Sequence, residues 1–174
     1  MEIIKTRNQK KAIKKTVAIL KDGGLVIYPT ETCYGLGADA TNAEAVKKVL
    51  EFKGSRGSKA ISVAVSDKKM AEKYVEINET ARNLYQKFLP GPLTIVSKSR
   101  GQTVATLEAG KGTLGIRMPD YLLALEIIQR FGRPVTSTSA NASGRKTPYS
   151  LRDIRKYTPK KSLRLVDLFL DAGK

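Results

Sequence analysis

The chain alternates helix-type and strand-type hydrophobic spacing. After Asn8 the apolar positions Ile13, Val17 and Leu20 recur at helical intervals with lysines between them, which predicts a helix from an Asn8 cap to about Asp22, closed by Gly23-Gly24. The run Leu25-Val26-Ile27 then reads as a strand ending at Tyr28. Asn42 caps a second predicted helix, Ala43 to Phe52, with Ala45, Val46, Val49 and Leu50 as its apolar stripe. A strand over Ala60–Val65, a short helix from Ser66-Asp67 through Tyr74 and a helix from Asn78 to about Phe88 follow, the last stopped by Pro90. Pro90-Gly91-Pro92 turns the chain into a strand over Leu93–Lys98. The hydrophilic, glycine-containing stretch Ser99–Gly112 is expected to be a mobile excursion before a strand over Thr113–Met118. Asp120 is expected to cap a helix over Tyr121–Phe131, with Leu122, Leu125 and Ile128 facing inward and Ala124 beside them. A strand over Pro134–Thr136, a helix from Ser150 to Tyr157 and a strand over Leu163–Leu170 complete the chain. Helices and strands alternating at this length predict a single α/β domain around one sheet, and the Pro-Gly-Pro turn with its short connections makes that sheet mixed. There is no internal repeat and no linker.

Composition narrows the setting. At 174 residues and 41% apolar, the chain can bury a core without disulfides. No apolar run approaches the roughly 20 residues of a membrane span, and the N-terminus lacks the apolar region of a signal peptide, so the expectation is a cytoplasmic protein with no membrane partner. The single cysteine, Cys33, suits a reducing compartment. The chain has no histidine, which excludes Ser-His and Cys-His machinery and His-ligated zinc, and leaves Cys33 as a small packing residue. Thirty-two Lys and Arg against 16 Asp and Glu give a net charge of +16, a field that attracts nucleotides, pyrophosphate or RNA.

Three loops carry the candidate chemistry. The stretch Tyr28-Pro29-Thr30-Glu31-Thr32-Cys33-Tyr34-Gly35-Leu36-Gly37 reads as a strand that stops in a loop whose backbone can approach a ligand closely. Lys53-Gly54-Ser55-Arg56-Gly57-Ser58-Lys59 is basic, and Ser137-Thr138-Ser139-Ala140-Asn141-Ala142-Ser143-Gly144 is rich in hydroxyls. Hydroxyls, amides and cations together make a phosphate cradle, because each phosphate oxygen takes several donors and positive charge. There is neither a Gly-x-x-x-x-Gly-Lys-Ser/Thr loop nor a Gly-x-Gly-x-x-Gly turn after the first strand. Arg117, at a strand end before Pro119, is placed either to hold a carboxylate in two parallel hydrogen bonds or to pair with Asp120 on the surface.

Five motifs in order resemble those of the YrdC-like family of L-threonylcarbamoyladenylate synthases, over about Lys5 to Asp171. They are Pro29-Thr30-Glu31-Thr32-x-Tyr34-Gly35-Leu36-Gly37, Lys53 in its basic loop, Pro90-Gly91-Pro92-x-Thr94, Gly115-x-Arg117-x-Pro119 and Ser139-Ala140-Asn141-x-Ser143-Gly144. The resemblance implies a YrdC-like α/β fold, a twisted mixed sheet flanked by helices with a basic concave cavity. It implies that L-threonine, bicarbonate or CO2, and ATP give threonylcarbamoyl-AMP and pyrophosphate, with Mg2+ on the phosphates. The product would serve the modification of adenosine 37 in tRNA, completed by threonylcarbamoyl-transferase proteins.

By position, Thr32, Arg117 and Ser137 resemble the family's threonine-binding residues. Lys59, Thr113, Ser139 and Thr147 resemble its ATP-binding residues, with Asn141 beside them, and Lys53 resembles the lysine of its Lys-x-Arg pair. Here Ser55 stands where that arginine is expected, and glycines 54 and 57 would let the loop shift so that Arg56 takes the role. The family's next strand, with a Ser-Thr ligand pair, is expected beyond Leu170-Asp171-Ala172-Gly173-Lys174, where this sequence stops. Two other readings stay open: a double-stranded RNA or tRNA-binding module without catalysis, motivated by the charge, and a carbamoyl-AMP-forming relative of the same fold.

Overall fold

Short polar side chains start most of the helices by accepting hydrogen bonds from otherwise unpaired N–H groups of the first turn. Asn8 accepts from Lys11 N at 3.1 Å, Asn42 from Glu44 N and Ala45 N, Asp67 from Met70 N, Asn78 from Ala81 N and Ser150 from Asp153 N. The computed structural model describes residues 1–54 and 59–173. In chain order it contains β1 (Glu2–Lys5), α1 (Gln9–Lys21), β2 (Leu25–Pro29), β3 (Tyr34–Gly37), α2 (Ala43–Lys53), β4 (Ser62–Ala64), α3 (Lys68–Tyr74), α4 (Glu79–Phe88) and β5 (Thr94–Lys98). A 3-10 turn (Ala105–Glu108), β6 (Thr113–Arg117), α5 (Leu122–Phe131), β7 (Val135–Ser139), α6 (Leu151–Tyr157), α7 (Lys160–Leu163) and β8 (Val166–Asp171) follow.

The strands form one mixed eight-stranded sheet in the order β1-β8-β2-β3-β7-β4-β6-β5. The pairs β1·β8, β8·β2 and β4·β6 are parallel, and the remaining neighbours are antiparallel. The core sits between sheet and helices, with Phe52, Phe169, Leu36, Leu114, Ile116 and Ile128 among its fully buried members. Among the described residues no helix is long and apolar enough to cross a membrane.

Several elements depart from the sequence expectation, each for a tertiary reason. β1 was not predicted, because only Ile4 of its residues is buried and its pairing is with β8, far along the chain. The central loop is a hairpin: Tyr34–Gly37 pairs antiparallel with Leu25–Pro29, and its glycines serve packing within a strand. The stretch 99–112 is docked onto the body, since Leu107 is fully buried, its carbonyl accepts from Ile61 N at 2.8 Å, and Val104 N donates to Ala40 O at 3.0 Å.

α5 begins after Tyr121, which supplies no side-chain cap, in place of an Asp120 cap. It buries Leu123, Ala124, Ile127, Ile128 and Phe131, leaves Leu122 83% exposed and packs against α1. Consecutive leucines fit two helical registers, and the one that buries Phe131 wins. β7 runs on to Ser139, β4 is shorter than Ala60–Val65, and the start of the expected last strand is the helical turn α7.

Candidate active site

Alternation along the central strands separates a core face from a polar face. In β6, Leu114 and Ile116 are buried in the core while Thr113, Gly115 and Arg117 lie on the opposite side. In β7, Thr136 is buried and Ser137 and Ser139 share the polar face. The register sets Ser62 beside Ser137 and Gly35 beside Ser139, and Ser62 Oγ donates to Ser137 O at 2.8 Å.

Small residues keep this face open. A Cβ on Gly115 would meet Ser62 Cβ and Thr94 Cγ2 at 3.0 Å, and one on Gly37 would meet Tyr28 Cε1 at 2.8 Å. The Tyr28 ring thus lies against glycine, its hydroxyl donating to Thr136 O at 3.3 Å, and burial pushes its phenol far above the ordinary value, so it stays neutral.

Lys53, at the end of α2, organises the first cluster on this face. It is 4% exposed, and its Nζ donates to Ser139 O at 2.7 Å and Asn141 Oδ1 at 3.1 Å. Asn141 Oδ1 also accepts from Ser139 Oγ at 2.6 Å, while Nδ2 donates to Arg145 O at 2.6 Å and Lys146 O at 2.9 Å. The amide thereby uses both donors and both lone pairs. Ser143 N donates to Lys53 O at 2.9 Å, closing the loop on the helix end.

Arg117 organises the second cluster. Its Nη2 donates to Glu31 Oε1 and to Thr32 Oγ1, both at 2.7 Å, and the side chains of Arg117 and Glu31 are only 16% and 18% exposed. The partner is therefore Glu31, 86 positions away, and not Asp120. Thr30 fixes this turn: its Oγ1 accepts from Thr32 N and Cys33 N and lies 2.7 Å from Cys33 O. Cys33 is half-buried, and burial pushes its thiol up, against the activation a nucleophile needs.

A cavity of about 300 Å3 opens beside the turn, walled by residues 29–34 with Tyr121, Tyr149, Ala172 and Gly173. That is the lower end of the range for small-molecule sites. Tyr34 hydroxyl donates to Gly173 O at 3.0 Å and accepts from Ala172 N at 3.1 Å, which ties the end of β8 to the turn. A roomier groove of about 540 Å3 between α1 and α5 is lined by Lys10, Lys14, Lys21 and Arg130 around apolar residues, and none of the sequence-predicted site residues lies in it.

The structure thus joins Lys53 to Ser139 and Asn141, joins Arg117 to Thr32, and places Ser137 and Thr113 on the polar face with them. Thr147 is exposed between Lys146, whose carbonyl Asn141 holds, and Pro148, whose carbonyl accepts from Tyr34 N. Lys59 is exposed, and Arg56 lies outside the described residues. Glu31, Ser62 and Tyr34 were not singled out. Glu31 stood between two threonines of the motif, the only local signal it offered.

Residues 18–174 match the model of the Sua5/YciO/YrdC family, described as Telomere recombination. The chain belongs to this family. It is 38% identical over 138 residues to the threonylcarbamoyl-AMP synthase of Bacillus subtilis, covering 78% of this chain and 40% of the relative. A Methanocaldococcus jannaschii protein provisionally named for the same activity is 40% identical over 167 residues, covering 92% of this chain and 75% of its own length. Among solved structures, P. abyssi Sua5 complexed with L-threonine superposes with a TM-score of 0.91 at 31% identity, over 100% of this chain and 51% of that one. The chain thus spans about half of the solved Sua5 and less of the Bacillus relative.

Proposed function

We propose that this domain is a threonylcarbamoyl-AMP synthase, making the product from L-threonine, bicarbonate or CO2, and ATP. The observation that carries the reading is the pairing, on one polar face, of a guanidinium fork beside a threonine-bearing turn with a buried lysine beneath a Ser-x-Asn loop. Family membership and the named relatives support it.

The chemistry requires no histidine. The amine of L-threonine attacks the carbon of CO2, forming a C–N bond and releasing a proton. A carbamate oxygen then attacks the α-phosphorus of ATP, and the α–β anhydride breaks to release pyrophosphate. Both steps hold anions against one another, so orientation and fixed cations carry the catalysis.

In this reading Arg117, Thr32 and Ser137 hold the amino acid and Lys53 offsets carbamate and phosphate charge. Ser139, Asn141, Thr113, Thr147 and Lys59 face the nucleotide. Arg56 stands for the arginine that pairs with the lysine.

Mg2+ would accompany ATP and neutralise phosphate charge. Among the described residues no three His, Cys, Asp or Glu side chains are grouped to hold a metal. The hydroxyl, amide and cation donors suit the triphosphate that would carry the ion.

The product would pass in the cytoplasm to proteins that transfer it to tRNA. Contact with tRNA itself is supported by Arg145, Lys146, Arg152, Arg155, Lys156, Lys160, Lys161 and Arg164. All eight are exposed, and none is in an ion pair among the described residues. Phosphate binding there should weaken with salt at a log-log slope of roughly −0.7 to −0.9 per contact.

The test is pyrophosphate release. It should require ATP, L-threonine and bicarbonate together, and release that ignores L-threonine would overturn the reading.

A further inference from the structure

Arg117 uses only part of the fork it presents. Nε and Nη2 lie along one edge of a guanidinium and can hold both oxygens of one carboxylate in parallel hydrogen bonds. Glu31 reaches that edge through Oε1 alone, at Nη2, and the buried Nε has no hydrogen-bond partner among the described residues. A buried donor left unpaired is unfavourable, and an acceptor that spans the edge would relieve it.

A substrate carboxylate arriving at that edge meets a second problem. Two carboxylates would then share one guanidinium in a partly buried site, and like charges at that separation repel. An α-amino acid brings its own remedy, because its ammonium group sits one carbon from its carboxylate. Glu31 already lines the cavity with Thr32, on a turn that Thr30 pins through two backbone N–H groups. Its carboxylate can change partner by side-chain rotation alone.

We infer that Glu31 is the ammonium-recognising residue of the amino-acid site. It holds Arg117 until the incoming carboxylate takes the Nε–Nη2 edge, and then receives the ammonium of that same molecule. The pair therefore selects a zwitterion over a simple carboxylate. The inference rests on the synthase reading for the identity of the amino acid and adds the means by which its amine is recognised.

Calorimetric titration of L-threonine, and of its amine-free analogue 2,3-dihydroxybutanoate, into wild type and Glu31→Gln tests this. The wild type should prefer L-threonine. Glu31→Gln should bind L-threonine about tenfold or more weakly, a charge-assisted contact having been lost, while the analogue binds as well or better because its competitor for Arg117 is gone. Glu31→Asp, which keeps the charge, should restore the preference for the amine-bearing ligand.

Equal losses for both ligands in Glu31→Gln, or tighter binding of both, would overturn the inference and leave the synthase reading standing. Wild type that takes up ATP but no L-threonine would overturn both.

Discussion

Lys53 and Arg117 are two cations on one polar face, and they are held in opposite ways. Lys53 is nearly inaccessible, and the oxygens described around it, from Ser139 and Asn141, are neutral. Arg117 meets a carboxylate, Glu31, that lines a cavity. The acceptors described around Lys53 fix the position of its ammonium by hydrogen bonds. A carboxylate partner largely cancels the charge it meets, so the Arg117 site is balanced until something displaces Glu31. In the synthase reading the lysine side would face phosphate and the arginine side a small carboxylate.

Removing Lys53 should break this contrast most severely. Lys53→Met is expected to lower pyrophosphate release roughly 10²- to 10³-fold, as loss of a fixed electrostatic contact does. It should also lower the unfolding free energy by about 1–3 kcal/mol, because Asn141, whose Oδ1 it leaves, is buried. Turnover near wild type would make the lysine purely structural.

Arg117→Ala should raise the KM for L-threonine by about 10- to 100-fold while moving the KM for ATP little. Parallel shifts in both constants would erase the division between the two sides. Asn141→Ala is expected to do the reverse more mildly, with KM for ATP rising more than KM for L-threonine. Calorimetric unfolding should show about 1–3 kcal/mol lost, since the carbonyls of Arg145 and Lys146 lose their donor.

Cys33→Ser should change turnover least, by no more than about twofold, because Cys33 is a small packing residue. Burial raises the thiol pKa, so the protonated form persists to higher pH, and alkylation at pH 7 should be slower than for an open-chain thiol. Rapid labelling with loss of activity would return the cysteine to the chemistry.

Local chemistry made much of this legible. The caps at Asn8, Asn42, Asp67, Asn78 and Ser150 are each satisfied within three residues of chain, so they can be read from sequence. The α/β alternation and mixed sheet were readable for the same reason. Lys53, Asn141, Thr32 and Arg117 were legible as motif residues. Their grouping was not, because Lys53 meets Asn141 across 88 positions and Arg117 meets Thr32 across 85. The glycines of Tyr34–Gly37 misled, since the same residue serves a loop and a strand on which an aromatic ring must lie.

By itself the sequence determined most of the helices, where most of them start, and that the candidate site would be rich in cations and free of histidine. It determined this because those properties depend on neighbours a few residues apart or on composition. Tertiary structure decided that β3 also pairs with β7, that α5 turns Leu122 outward, and that the stretch 99–112 docks through Leu107. It also decided that Glu31 faces Arg117. Each of those outcomes depends on hydrogen bonds and buried surface between distant parts of the chain, which no local pattern encodes.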